Sequence, residues 1–269
     1  MNTLRTVADV RRMLDPLRAG RTIGLVPTMG ALHEGHVALF HAARSACGLV
    51  VASLFVNPAQ FGDPADLSAY PRDEQRDAQV AEAAGVDALF APSADEMYPP
   101  GYATWIDMAG PAHGLEADFR PGHFRGVATI CVKLFSIVRP HLAFFGQKDA
   151  QQVAVVKRAV ADLNLDLAIQ VVPTVRDPDG LALSSRNVRL SPAERRRALA
   201  IPRALAAGAA AHHEGGDAVA AATRALGDVE AEYVSLATLD GQLTLAIAAR
   251  IGSTRLIDNT PLEAEGARV

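Results

Sequence analysis

The sequence predicts an α/β protein, with a doubly wound, Rossmann-like parallel sheet in its N-terminal part and a smaller α+β domain in its C-terminal part. Short, continuously apolar runs alternate with helical patterns as far as about residue 172, as expected of parallel strands covered by helices on both faces. Past Leu190, two alanine-rich helical stretches precede three strand-like runs. The length of 269 residues fits one large or two unequal domains.

The first βαβ unit follows from hydrophobic periodicity. An amphipathic segment over 7–17 precedes an apolar strand over 22–26, which runs directly into the turn-forming residues 27–30. A helix over 35–47 and a continuously apolar strand over 49–56 complete the unit. The alternation continues through a helix at 73–84, a strand at 86–90, a helix at 127–138, a strand at 142–145, a helix at 150–163 and a strand at 168–172.

The C-terminal part has a different order of elements. Helical patterns over 192–211 and 217–226 precede strands expected at 233–239, 243–248 and 254–257. Ser191 and Glu194 have the spacing of a capping box, with proline at the first helical position between them. The junction at about 175–190 is rich in turn-forming residues and suits a hinge.

Composition and charge exclude several classes of protein. Hydrophobic residues make up 49% and charged residues 21% of the chain, which excludes disorder and fibrous structure. The 26 Lys+Arg and 30 Asp+Glu give a net charge of −4, without the basic excess of a protein that binds nucleic acid through its phosphates. Cys47 and Cys131 are too few for a disulfide framework or a zinc site and are expected to be core thiols. No run reaches the ~18 apolar residues of a membrane span. We therefore expect a soluble, cytoplasmic protein without a membrane partner.

The segment from Pro27 to His36 follows the first strand and enters a helix. Unpaired N–H groups and the positive end of the helix dipole favour phosphate at such a position. His33 and His36 are three residues apart, so both can face one ligand and donate to the charge that develops as pyrophosphate leaves. The alternative is two surface or capping histidines. Zinc is disfavoured because the His-Glu-x-x-His spacing is lacking.

Asn57 and Gln60 follow the second strand, at the carboxyl edge where open α/β sheets bind ligands. Their neutral amides can hold a small hydroxy acid without adding a competing carboxylate. The alternative is an Asn-Pro turn with an exposed glutamine.

The segment from Gly146 to Gln152 is another strand end that runs into a helix. Lys148 can supply a compact positive charge to phosphates, and Asp149 can cap the helix or hold a ribose or a metal. A solvated Lys-Asp cap is the alternative.

The fourth segment is Ser184-Ser185-Arg186, just after the turn-rich junction. Two hydroxyls followed by a guanidinium can clamp phosphate from a mobile loop. An exposed polar loop is the alternative, and the later run 195–197 of three arginines is expected to be a solvated helix face.

Together these segments resemble the pantothenate synthetases (pantoate–β-alanine ligases), a family of the HIGH-motif nucleotidylyltransferase superfamily related to class I aminoacyl-tRNA synthetases. The resemblance runs in order along nearly the whole chain, through residues 27–36, 56–61, 70–72, 121–127, 144–152, 173–176 and 179–187. It implies that pantoate and ATP form pantoyl adenylate with release of pyrophosphate. The amine of β-alanine then displaces AMP to give pantothenate.

The resemblance also implies a role for each matching residue. It makes His36 a catalytic proton donor, with His33, Lys148 and Arg186 as further catalytic residues. Pantoate falls on Gln60 and Gln152, Gln60 also reaches β-alanine, and Asn57 joins this substrate-binding set. ATP is placed on Pro27, Thr28, Met29, Gly30, Ala31, Leu32, His33, Glu34, Gly35, His36, Gly146, Gln147, Lys148, Asp149, Val175, Leu183, Ser184, Ser185 and Arg186.

The resemblance further implies Mg²⁺ on the ATP phosphates, with no protein ligand assigned to it, and a cytoplasmic homodimer formed through the N-terminal domains. The loop 184–186 would close over the triphosphate. We expect a nucleotide- and pantoate-binding domain over 1–175 and a smaller domain over 176–269 that acts as a lid over the active site. Two residues depart from the family pattern, since Gln147 stands where many members have Glu and Leu183 where many have Met.

Two other functions are compatible with the same segments. A nucleotidylyltransferase that leaves the nucleotide on its product would use the histidines and the 184–186 loop equally well, although Gln60 and Gln152 favour a small acid as acceptor. A non-enzymatic, ATP-binding regulatory module would release no pyrophosphate. Adenylate chemistry needs little acid–base catalysis, and the candidate groups are accordingly helix ends, cations and amides.

Overall fold

The computed structural model describes residues 1–262, and the chain forms two compact units. The first contains Met1–Gly146 and Val155–Val172, and the second contains Gln147–Ala154 and the residues from Pro173 onward. The strands of the first unit are β1 (Asn2–Leu4), β2 (Ile23–Thr28), β3 (Leu49–Leu54), β4 (Ala88–Phe90), β5 (Leu142–Gly146) and β6 (Ala168–Val172). They form one sheet in the order β1-β4-β3-β2-β5-β6, and every pair in it is parallel. The predicted doubly wound sheet is confirmed.

Helices connect these strands. They are α1 (Val7–Leu14), α2 (Glu34–Ala46), α3 (Pro64–Ser68), α4 (Glu74–Ala83), α5 (Ala94–Met97), α6 (Glu116–Phe119), α7 (His123–Val138) and α8 (Ala150–Asp162), of which α8 extends across the division between the units. Apolar side chains of α2, β2 and β3, among them Phe40, Val26 and Val50, are fully buried in one cluster. This packing leaves the carboxyl ends of the central strands to carry the polar segments.

The strand order reverses at β2. The chain passes from β2 to β3 and β4 on one side, and then returns to place β5 on the other side of β2. Ligands of open α/β sheets bind outside the carboxyl ends of the strands at such a switch point. In this chain those ends are Thr28 on β2, Leu54 on β3 and Gly146 on β5.

The second unit is the predicted α+β domain. It contains α9 (Pro192–Ala198), α10 (Ala200–His213), α11 (Ala218–Leu226) and an antiparallel sheet of β7 (Glu230–Leu239), β8 (Gln242–Ile251) and β9 (Thr254–Pro261). Its core contains the buried Ile201 and Leu205 of α10 and Leu245 and Ile247 of β8. The expected capping box is confirmed, because Ser191 and Glu194 bond each other's backbone N–H groups at 2.8 and 3.3 Å.

Several expected boundaries are wrong. The helix over 192–211 is two helices separated at Leu199, because Pro202 has no N–H to continue the hydrogen-bond ladder. α7 begins at His123, four residues before the expected start, after Gly122 with a left-handed φ of 77°. Pro27 and Thr28 belong to β2 rather than to the turn. The short strand β1 was not expected, since three residues carry no periodicity.

Cys47 and Cys131 are buried and unpaired, as expected of core thiols. Burial raises the pKa of the Cys131 thiol to about 12. No helix within residues 1–262 is long and apolar enough to cross a membrane.

Candidate active site

The loop after β2 is fixed by a carboxylate that the sequence analysis did not single out. Asp77 on α4 is 1% exposed, and its two oxygens accept hydrogen bonds from the backbone N–H groups of Ala31 and Leu32, each at 2.8 Å. Gly30, with φ +91°, brings the loop against Asp77, because a Cβ there would lie 2.9 Å from Asp77 Oδ2. A charged residue on the inward face of an amphipathic helix is the sequence signal that could have revealed Asp77.

His33 and His36 form a capping box at the start of α2. His33 is the N-cap, so it precedes the first turn on which it was expected, and its Nδ1 accepts from the Gly35 N–H at 3.1 Å. The Nδ1 of His36 accepts from the His33 N–H at 3.3 Å, and the ring centroids are 4.2 Å apart. An Nδ1 that accepts a backbone hydrogen bond carries no proton, so each neutral ring carries its proton on Nε2. The hydrogen-bond network therefore assigns both side chains as Nε2–H donors.

The expectation of an open anion site made from backbone amides is wrong for most of this segment. The N–H groups of Ala31, Leu32, His33 and Gly35 all donate to side chains of the protein. Asp77 lies at the same end of α2 and opposes the positive end of the helix dipole. In this segment both imidazoles cap the helix through their Nδ1 atoms.

Asn57 and Gln60 lie at the 3₁₀ turn Pro58–Gln60 after β3. They are 1% and 7% exposed, so Gln60 is not the exposed glutamine of the alternative interpretation. Asn57 Nδ2 donates to Gln60 Oε1 at 3.1 Å, and Gln60 Nε2 donates to Met29 Sδ at 2.9 Å. These two bonds fix the Gln60 amide. They also join the predicted substrate-binding pair to the segment predicted to bind ATP.

Helix α7 supports this turn through the residues of the 121–127 motif, to which the sequence analysis assigned no role. His123 Nδ1 bonds the Gln60 backbone oxygen at 2.9 Å, and Asn57 Nδ2 donates to the Gly126 oxygen at 3.1 Å. A Cβ on Gly126 would lie 2.3 Å from the Ala59 oxygen. Gly126 therefore permits a close contact that seats Gln60.

In the second unit, Gln147–Asp149 forms a short 3₁₀ helix that Asn259 on β9 holds in place. Asn259 Nδ2 donates to the carbonyls of Gln147 at 3.0 Å and Lys148 at 2.8 Å, and its Oδ1 accepts from Gln147 Nε2 at 3.2 Å. A glutamate at 147 could not make this last bond when ionised, so the departure from the family pattern has a structural role here. Asn259 lies beyond the strand expected at 254–257, because β9 extends to Pro261, and no sequence signal marked it.

Lys148 is the cation of this segment. Its side chain is 19% exposed, and its Nζ lies 3.5 Å from Asp149 Oδ1, a loose ion pair. Gln152 lies half-buried in the first turn of α8. The predicted residues after β5 thus lie on one 3₁₀ turn, Gln147–Asp149, and on the first turn of α8.

The segment 184–186 comprises the N-cap and the first two residues of a 3₁₀ helix, Ser185–Arg189. The N-cap Ser184 accepts from the Arg186 N–H at 3.2 Å through its Oγ. The Leu183 N–H donates to the Val175 oxygen at 3.0 Å, which brings together two residues that were predicted to contact ATP.

The turn before this segment is anchored by arginines. Arg195 lies 2.7 Å from Asp177 and 2.8 Å from Asp179, so this residue of the expected solvated face forms ion pairs while its side chain stays 34% exposed. Arg176 pairs with the buried Asp258 through two hydrogen bonds, at 2.6 and 3.0 Å. The partners of Arg195 lie 16 and 18 residues away in the sequence, so the run 195–197 alone does not reveal the pairing.

The predicted residues therefore assemble within each unit separately. In the first unit, the His33–His36 pair and the Met29–Gln60–Asn57 chain occupy the carboxyl ends of the adjacent strands β2 and β3. In the second unit, Lys148 lies on the 3₁₀ turn after β5, and the 183–186 segment contacts Val175 through the Leu183 N–H. Within residues 1–262, no group of three or more His, Cys, Asp or Glu side chains could hold a metal ion.

A doubly wound sheet with paired imidazole donors and buried amides at its switch point defines a nucleotide-binding enzyme of the α/β class. The family model described as pantoate-beta-alanine ligase matches residues 2–261. This chain belongs to the pantoate–β-alanine ligase family.

Relatives and solved structures agree with this assignment. The pantothenate synthetase of Heliobacterium modesticaldum is 51% identical, over 97% of this chain and 100% of the relative. The crystal structure of pantothenate synthetase from Thermus thermophilus is 44% identical, with a TM-score of 0.91 over 97% of this chain and 99% of that one. The pantoate-beta-alanine ligase of Francisella tularensis, complexed with beta-gamma ATP and beta-alanine, is 35% identical, with a TM-score of 0.85 over 97% of each chain.

Proposed function

We propose that this chain catalyses the ATP-dependent condensation of (R)-pantoate with β-alanine to pantothenate, through pantoyl adenylate, with AMP and pyrophosphate as the other products. Family membership and the substrates named for the Francisella structure support the proposal. The observation in this chain that carries it is the His33–His36 pair, fixed as Nε2–H donors on the loop whose Met29 contacts Gln60.

In the first step, a pantoate carboxylate oxygen attacks the α-phosphorus of ATP. The bond from the α-phosphorus to the bridging oxygen breaks, and pyrophosphate leaves with the electron pair. The negative charge that grows on the leaving group is stabilised by the Nε2–H groups of His36 and His33 and by the cations Lys148 and Arg186. The carboxylate is already a nucleophile, so no base is required.

In the second step, the neutral amine of β-alanine attacks the acyl carbon of pantoyl adenylate. The bond from that carbon to the bridging oxygen breaks, AMP leaves, and the new amide loses one proton to solvent. Gln60, Gln152 and Asn57 hold pantoate in both steps, Asn57 through Gln60. Positioning is the main contribution of these amides.

Four further assignments belong to the same proposal. ATP brings Mg²⁺ on its own phosphates, and we assign the ion no ligand from the protein. The protein is a homodimer through its N-terminal domains, it acts in the cytoplasm, and its C-terminal domain is a lid. These four assignments rest on the family resemblance.

The substrate assignment is tested with Gln60→Ala. Loss of a buried amide that is directed to a small polar substrate leaves that substrate's groups unpaired, so calorimetric titration should show weaker binding of pantoate and unchanged binding of ATP. Gln170→Ala, at an exposed position on β6, is the matched control. A drop in ATP affinity with pantoate affinity preserved would contradict the assignment. Release of pyrophosphate with the nucleotide retained on the product would indicate a nucleotidylyltransferase instead.

A further inference from the structure

The phenol of Tyr98 contacts the amide that holds Gln60. Tyr98 directly follows α5, and its hydroxyl donates to Asn57 Oδ1 at 2.8 Å. Its ring stacks on Trp105, with centroids 5.8 Å apart and planes at 19°, and meets Tyr102 edge-on at 5.0 Å. Lys133 Nζ lies 5.6 Å from the ring centroid. The phenol is thus fixed on several sides by aromatic and cationic neighbours.

The Asn57 amide has all of its hydrogen-bonding capacity filled by the protein. Its Nδ2 group donates to Gln60 Oε1 and to the Gly126 oxygen, both at 3.1 Å. Its Oδ1 accepts from the Ala59 N–H at 3.3 Å and from the Tyr98 hydroxyl at 2.8 Å. A side-chain amide has two N–H donors and two acceptor lone pairs, so none remains for a substrate. Asn57 acts on the substrate through Gln60.

The Tyr98 bond is the shorter of the two that fix Asn57 Oδ1. The other hydrogen bond, from the Ala59 N–H, is long at 3.3 Å. Ala59 lies on the same short turn as Gln60, so this bond does not tie Asn57 to any other part of the chain. Tyr98 belongs to a different segment, directly after α5, and gives an independent anchor. Burial raises the pKa of the Tyr98 phenol, so the hydroxyl stays protonated and able to donate at neutral and mildly alkaline pH.

We propose that Tyr98 is a positioning residue for the reaction, which orients the Asn57 amide so that Gln60 presents its remaining N–H and Oε1 lone pair to pantoate. The proposal rests on the proposed assignment of Gln60 to pantoate. It extends the site to a residue that touches no substrate and lies 38 positions after Gln60 in the sequence.

The test is Tyr98→Phe, which removes one hydroxyl and keeps the ring. We expect kcat/KM for pantoate to fall roughly tenfold, the effect of losing one neutral hydrogen bond, with KM for ATP unchanged. The reduction should be the same at pH 6.5 and pH 8.5. The matched control is Tyr102→Phe, because among residues 1–262 the Tyr102 hydroxyl makes no hydrogen bond. That control should retain the wild-type kcat/KM.

A double-mutant cycle separates positioning from a general loss of structure. Once Asn57 is replaced by Ala, Tyr98→Phe should change kcat/KM for pantoate by less than about twofold, because its partner is gone. Equal losses in the Asn57 and Asn57→Ala backgrounds, or equal losses for ATP and pantoate, would overturn the role of Tyr98. If Asn57→Ala and Gln60→Ala themselves leave kcat/KM for pantoate unchanged, the proposed site assignment fails instead.

Discussion

The contact between Gly126 and the turn Pro58–Gln60 makes a sharp prediction about substrate positioning. A Cβ at Gly126 would lie 2.3 Å from the Ala59 oxygen, 2.5 Å from the Ala59 carbonyl carbon and 2.6 Å from the Gln60 nitrogen, all of them backbone atoms. Contacts under 3.0 Å essentially never occur for a real Cβ, so Gly126→Ala must separate α7 from the turn by about 0.7 Å. The Asn57 and His123 hydrogen bonds to the same region then lengthen.

Two opposing terms set the effect on stability. Alanine in place of glycine inside a helix is favourable by ~1 kcal/mol, whereas forcing an extra methyl into a packed contact costs ~1–3 kcal/mol. The net loss is between zero and ~2 kcal/mol, and the upper value would lower Tm by roughly 4–8 °C for a chain of this size. Activity should suffer more, because a misplacement of about 1 Å can cost ~10²-fold.

We therefore expect a folded Gly126→Ala enzyme whose kcat/KM for pantoate falls ~10²-fold, with KM for ATP nearly unchanged. Release of AMP at saturating ATP and β-alanine is the assay, and circular dichroism monitors folding. Gly20→Ala is the control, because nothing lies within 4 Å of its Cβ and its φ is not left-handed. A folded Gly126→Ala protein with the wild-type kcat/KM for pantoate would refute the argument that this contact seats Gln60.

Three other substitutions test the remaining parts of the site. His36→Ala should slow pantoate-dependent pyrophosphate–ATP exchange ~10²–10³-fold by removing one preorganised donor, whereas His41→Ala, exposed on the same helix, should not; equal rates would remove His36 from the mechanism. Lys148→Ala should impair adenylation more than amide formation from supplied pantoyl adenylate, since only the former handles the triphosphate, and equal losses would contradict that role. Asp77→Ala leaves two backbone N–H groups without their charged acceptor and should lower the free energy of unfolding by ~3 kcal/mol or more; an unchanged Tm would contradict the anchoring role.

The local elements of the fold could be predicted because their signals are local. The strand β2, the helix α2 and the strand β3 have apolar periodicity and flanking turn residues within a few positions of each other. The capping box at Ser191 was readable for the same reason. The break at Leu199 was missed because alanine-rich periodicity continues through it, although Pro202 marks it.

The site could be predicted only in part. The spacing of His33 and His36 indicates two imidazoles at a helix start, but the direction of the capping bonds, and hence the Nε2–H tautomers, needs coordinates. Asp77 lies 45 and 46 residues from the N–H groups that it accepts from, and Asn259 lies 111 and 112 residues from its partners. A local pattern can mark Asp77 as a charge on the inward face of a helix, but it cannot identify partners this distant in the sequence.

The adenylate mechanism is tested most directly by following the carboxylate oxygen of pantoate. If that oxygen attacks the α-phosphorus of ATP, pantoate labelled with heavy oxygen in its carboxylate must transfer one label to AMP when β-alanine completes the reaction, because the bridging oxygen leaves with the phosphate. Mass spectrometry of the AMP should therefore show a single heavy oxygen for each pantothenate formed. AMP free of label, or ADP and phosphate as products, would contradict the adenylate mechanism.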